Sequence, residues 1–172
     1  NQVQDRGITL SVNLSGNTLH DQELNHFLES QLVTSGANPH QLILEVTETS
    51  AVTDFSTARQ VLQGMRDLGC KTALDDFGVG FSSFHYLSKL PVDYIKIDGS
   101  FIQSIKEDGN SRVIVKAISD IAHGLGKHAI AEFVDDEETI ELLTRYGIEY
   151  GQGFHIGKPA SADSTFFTTI MK

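Results

Sequence analysis

The sequence predicts an α/β fold of parallel strands joined by crossover helices. Three observations predict it. Short β-type runs alternate with segments of helical apolar spacing, four of the helical segments stop at a glycine, and the β-type runs end in polar, mostly acidic residues.

The β-type runs are Ile8–Leu14, Leu42–Thr47, Lys71–Leu74, Tyr94–Ile97, His128–Val134 and Gly153–Ile156. After the first run, Leu24, Phe27, Leu28 and Leu32 form a helical stripe that Gly36 closes. After the second, Ala58, Val61, Leu62 and Met65 follow the i, i+3, i+4, i+7 pattern and stop before Gly69. After the fourth, Ile114, Ala117, Ile118 and Ile121 do the same, continue through Ala122 and Leu125, and stop at Gly126. The last helical segment ends at Gly147. A glycine suits the left-handed residue that terminates a helix, because it has no Cβ to clash there.

The strand ends separate a barrel from an open sheet. Asn13, Glu45, Asp75, Asp98 and Glu132 each close a strand. An open sheet gathers its site at one switch point, whereas a (β/α)8 barrel turns every strand end toward one mouth. Five such ends predict the barrel type. Asn13 to Gln152 covers five strand-to-strand steps in 139 residues, about 28 residues per unit against about 31 in a complete barrel. The 172 residues are therefore expected to hold six βα units, the C-terminal three quarters of a barrel, as one domain over 1–172.

Composition narrows the function classes. Thirteen basic and 23 acidic residues give a formal net charge of −10, the wrong sign for DNA or RNA binding through phosphates. Single Cys70 excludes a disulfide framework and a cysteine-rich zinc site, and fits a reducing compartment. No apolar run approaches the roughly 18 residues of a membrane span, so no membrane contact is expected of this segment. The expected location is the cytoplasm, or the cytoplasmic part of a membrane-anchored parent.

The acids carry the chemistry. Glu45 lies inside the apolar run Leu42–Val46, where a charge needs a partner or a metal. Asp75 and Asp76 are adjacent and follow the apolar Thr72-Ala73-Leu74, so their charges repel unless a cation stands between them. Lys96 and Asp98 share one face of their strand, which permits either an ion pair between them or a lysine that holds a water or phosphate oxygen. Glu132 precedes the acidic helix start Asp135–Glu138, and Gln152 sits between two glycines. Glu45, Glu48, Asp75, Asp76, Asp98, Glu132 and Asp135 thus place seven acids near one mouth with one lysine. Oxygen-only ligands point to Mg²⁺ or Mn²⁺, and paired carboxylates to two ions, a combination suited to phosphoester hydrolysis. Asp76-Phe77-Gly78 lacks the companion motifs of a kinase, and Gly124-Leu125-Gly126-Lys127 lacks the Ser/Thr of a P-loop.

In this order the motifs resemble the EAL-domain family of cyclic di-GMP phosphodiesterases. The resemblance rests on Val12-Asn13-Leu14-Ser15, on Leu44-Glu45-Val46-Thr47-Glu48 and on Asp75-Asp76-Phe77-Gly78-Val79-Gly80-Phe81-Ser82-Ser83. It continues in Leu90-Pro91-Val92-Asp93-Tyr94-Ile95-Lys96-Ile97-Asp98, Ala131-Glu132-Phe133-Val134-Asp135 and Gly151-Gln152-Gly153-Phe154. The resemblance implies that Asn13, Glu45 and Asp75 bind one metal, that Asp76 joins the second, and that Glu132 completes the metal shell. It implies that Lys96 holds the attacking water, Gln152 helps to place it, Glu48 anchors the loop Asp75–Ser83, and Asp98 supports Lys96 and the metals. The implied reaction is in-line attack on one phosphodiester bond of cyclic di-GMP, giving linear pGpG.

The sequence departs from the family pattern in three places. No Glu-Ala-Leu tripeptide occurs, Phe133 stands where many members have glycine, and Asp135 stands for the usual glutamate. The family carries the tripeptide's glutamate, a metal ligand, on a strand before the asparagine motif, so the 172-residue segment by itself is expected to be inactive. The parent chain is expected to carry upstream sensor or GGDEF-type domains. Strands left as edges would favour a homodimer. Two rival readings are a non-catalytic cyclic di-GMP receptor and an enolase-type Mg²⁺-dependent lyase. The paired Asp75 and Asp76 argue against both.

Overall fold

The computed structural model describes residues 8–21, 23–80 and 84–159. Phe81, Ser82 and Ser83 of the double-aspartate motif lie outside the described residues. The chain divides into two compact units, Asn1–Asp75 with Gly80–Asp93, and Asp76–Val79 with Tyr94–Lys172. Six strands follow one another in chain order, and those paired within each unit run parallel. This is the α/β pattern expected of consecutive βα units.

In the first unit β1 (Leu10–Leu14), β2 (Leu42–Thr47) and β3 (Lys71–Phe77, shared with the second unit at its end) are separated by helices. These are α1 (Gly16–Leu19), α2 (Leu24–Ser35), α3 (Glu48–Thr53) and α4 (Phe55–Asp67), with α5 (Phe84–Lys89) after β3. The stripe on α4 behaves as its spacing predicts. Ala58, Val61, Leu62 and Met65 are all buried, and Asp54 caps the helix by accepting from the Thr57 N–H. The stripe on α2 buries no residue, and Phe27 is largely exposed. Strand β3 runs three residues further than its apolar run suggests, so Asp75 and Asp76 belong to the strand's end and not to the loop after it.

In the second unit β4 (Tyr94–Ile97), β5 (His128–Ala131) and β6 (Tyr150–Gly151) pair in that order. Helices α6 (Gly99–Ser104), α7 (Gly109–Gly124) and α8 (Glu137–Arg145) intervene. The last strand is not Gly153–Ile156 but Tyr150–Gly151. The Gly153 carbonyl accepts from the Ile156 and Gly157 N–H groups, which bends that segment into a turn. Helix α7 forms where expected but is rotated. It buries Ser111, Val115, Ile118, Ser119 and Ala122, while Ile114 and Ala117 are exposed. Both serines are satisfied in place, Ser111 Oγ donating to Asp108 and Ser119 Oγ to the Tyr146 carbonyl.

At the N-terminal ends of these strands Tyr94, His128 and Tyr150 stack on one another, each pair of ring centroids 5.7 Å apart. Glu149 binds beside them, accepting from His123 Nε2 at 2.8 Å, His128 Nδ1 at 3.1 Å and the Ala129 N–H. Burial pushes the Glu149 carboxyl up, but these bonds outweigh it and hold the group below the usual carboxylate range. Among the described residues no helix is long and apolar enough to cross a membrane.

Candidate functional site

Parallel pairing sets every strand's C-terminal end on one side of its sheet, and the predicted site residues sit at those ends. In the first unit Asn13 lies opposite Glu45 in register, and Thr47 lies opposite Asp75. Asn13 is exposed, Asp75 half-buried and Glu45 buried among apolar neighbours. Glu48 opens α3, whose N-terminus Thr47 caps by accepting from the Ser50 N–H. Glu48 is also buried, and a Cβ on Gly80 would stand 3.0 Å from its Oε1. Glu48 therefore packs against the loop that follows the two aspartates.

In the second unit β4 brings Lys96 opposite Ile130 of β5, two residues before Glu132, which follows the strand's last residue Ala131. Lys96 Nζ meets Glu132 Oε1 at 3.0 Å, and both side chains are at least nine-tenths buried. The pair removes two charges from water, which is tolerable because each neutralises the other. Asp76 and Glu132 offer carboxylate oxygens within 4.8 Å of one another. Asp76 takes φ +54, a left-handed backbone that few non-glycine residues adopt. Asp98 does not pair with Lys96 in the way their shared strand face permits. Its Oδ1 caps α6, accepting from the Ser100 N–H at 2.8 Å and from the Ser100 hydroxyl.

Gln152 is stitched to the segment around Glu132 by its backbone. Its N–H donates to the Ala131 carbonyl at 2.8 Å, and its carbonyl accepts from Val134 at 3.0 Å. A cavity of about 380 Å³ opens beside it, lined by Phe133, Asp135 and Phe154 among others. Sequence reasoning had no signal for Gly99, whose part becomes visible only once Phe133 is placed against it.

Chemically, the second unit gathers oxygen donors. Asp76 and Glu132 are near enough to share a hard cation, and a carboxylate-only set fits Mg²⁺ or Mn²⁺ better than zinc. The buried lysine beside them is a fixed donor for an anionic or water oxygen.

The chain is similar to known proteins. The chain is 39% identical over 150 residues to the cyclic di-GMP phosphodiesterase PdeB of Shewanella oneidensis, covering 87% of this chain and 18% of that protein. It is 36% identical over 154 residues to the bifunctional diguanylate cyclase/cyclic di-GMP phosphodiesterase MucR of Pseudomonas aeruginosa, covering 90% of this chain and 22% of that one. A solved Klebsiella pneumoniae BlrP1 complex with manganese and cyclic di-GMP aligns at TM-score 0.84 and 33% identity, over 92% of this chain and 41% of that chain. The chain thus spans about a fifth of the length of the curated relatives it matches. Residues 1–159 match the family model described as the EAL domain, and the chain belongs to that family.

Proposed function

We propose that this segment is the catalytic part of a metal-dependent phosphodiesterase that opens cyclic di-GMP to linear pGpG. The observation that carries the proposal is the buried Lys96–Glu132 pair with Asp76 beside it at the strand ends. The names of the relatives and the manganese complex of a neighbour support it.

Asn13, Glu45 and Asp75 would hold one Mg²⁺ or Mn²⁺ ion and Asp76 would join a second, with Glu132 completing the metal shell and Asp98 supporting Lys96 and the metals. Such ions polarise a phosphodiester and supply hydroxide at neutral pH. The protein's own groups do the rest. Lys96 orients the attacking water through its ammonium, which Glu132 fixes in place. Gln152 helps to position that water, its backbone tied to the strand that carries Glu132. Glu48 holds the loop after Asp76, so that the paired carboxylates keep their geometry. In the whole protein we place this domain in the cytoplasm, downstream of sensor or GGDEF-type domains; the 172-residue segment alone would pair through its exposed strand edges as a homodimer.

The test is turnover of cyclic di-GMP by the full-length protein in Mg²⁺ or Mn²⁺. Asp75→Asn should lower kcat at least about a hundredfold through loss of a metal ligand, with cyclic di-GMP binding in Ca²⁺ retained. Binding without turnover in the unaltered protein would leave a receptor in place of an enzyme. Turnover that Asp75→Asn does not change would overturn the ligand assignment.

A further inference from the structure

Phe133 has φ +51, a conformation that crowds the Cβ of any side chain and is an outlier for a bulky one. The residue is 55% exposed, so burial offsets little of that strain. Strain of this kind persists where the surroundings enforce it, and it concentrates at sites that use it.

Gly99 stands against that ring. It is the first residue of α6, and its φ is not among the positive ones, so the backbone there suits any residue. Conformation does not call for glycine at this position, but space does. A Cβ on Gly99 would lie 2.1 Å from Phe133 Cδ2 and 2.8 Å from Cε2. The ring fills the place that a side chain at 99 would take. From there it lines the cavity of about 380 Å³ next to Gln152, which the exposed Phe154 also lines. A second glycine fixes the same segment from the other side, because a Cβ on Gly153 would lie 2.2 Å from the Val134 nitrogen.

We infer that Gly99 and Phe133 are a matched steric pair, in which the missing side chain at 99 seats the Phe133 ring as a wall of this cavity. Residue 99 thereby sets how tightly the cavity takes a flat purine base. The inference rests on the proposed nucleotide substrate. Aromatic faces hold bases by stacking without reading their edges, so the pair governs affinity and not bond cleavage. Gly99 is a positioning residue, since it acts through the ring.

The test compares four full-length proteins, the unaltered one, Gly99→Ala, Phe133→Gly and the double variant. Kd for cyclic di-GMP is measured in Ca²⁺, KM and kcat in Mn²⁺, and the melting temperature of each protein alongside. Each single variant should weaken Kd and raise KM about tenfold, with kcat changed less than about twofold. The double variant should match Phe133→Gly alone, because a side chain at 99 meets nothing once the ring is gone. If Gly99→Ala unfolds, recovery of the Phe133→Gly melting temperature in the double variant shows the same pairing. Equal losses from Gly99→Ala in both backgrounds, or Phe133→Gly binding as tightly as the unaltered protein, would overturn it. An unaltered protein that does not bind cyclic di-GMP brings down the proposed function instead. The melting temperatures then still decide the pairing.

Discussion

Lys96 and Glu132 show how a single side chain can carry both stability and chemistry. Each is buried, and each is charged in the presence of the other. Lys96→Met leaves the Glu132 carboxylate without its ammonium partner. It should cost about 3 kcal/mol in urea unfolding and also abolish cyclic di-GMP turnover. Asp136 tests charge at an exposed position. It caps α8 through the Thr139 N–H, and its pairing with Lys106 holds its carboxyl down at about 2. A carboxyl lowered on folding adds stability above its unfolded value near 4, and that stability is lost as pH falls through the folded value. The melting-temperature gap between the unaltered protein and Asp136→Asn should therefore be full above pH 4 and should close as pH falls toward 2. At this scale the sequence was informative about residue type and less so about partner. Glu132 stood out as a strand-end acid and Lys96 as a charge within a β-type run. That they meet each other, while Asp98 turns to cap α6, depends on the β4–β5 register, which no local pattern encodes.

Elements were legible where apolar spacing was the dominant force. Strands β2 and β4 fall on their predicted residues, and α4 buries its predicted face. The failures have physical causes. β3 extends through two aspartates because hydrogen bonding outlasts the apolar run, ending where the Phe77 carbonyl accepts from Asp98. α7 is rotated because two serines find partners in the interior, a possibility that hydrophobic spacing ignores. β6 was displaced because Phe154 and Ile156 look like strand residues, yet Gly153 turns the chain before them. Gly153→Ala checks that last point. Its methyl would run into the Val134 backbone, so we expect a loss of about 2 kcal/mol in denaturant unfolding, with turnover falling as Gln152 shifts from its place beside Ala131.

For the molecule as a whole, the alternation of strands and helices was readable because each βα unit repeats the same signals. The grouping of the acids at the strand ends followed from parallel pairing alone. What the pattern could not reveal was the grouping into two compact units, which parts Asp75 from Asp76, Val79 from Gly80 and Asp93 from Tyr94. The binding reading has a whole-molecule consequence, since a ligand that binds only the folded state stabilises all of it. With Ca²⁺ present, cyclic di-GMP at about a hundred times its Kd should stabilise the fold by about 2.7 kcal/mol, a shift of a few degrees. Differential scanning fluorimetry reads it directly. An unchanged melting temperature at that concentration would count against binding.

The stacked rings at the N-terminal ends of β4, β5 and β6 have an optical consequence. The sequence contains no tryptophan and four tyrosines, so native emission comes from tyrosine alone. Two of those four, Tyr94 and Tyr150, lie edge to face with each other, and Tyr150 also lies edge to face with His128. Rings locked in such asymmetric contact give near-ultraviolet circular dichroism. The second unit therefore carries its own spectroscopic signal, at the opposite strand ends from the acids. Its unfolding can be followed without a label, and substrate can be titrated in without touching the chromophores.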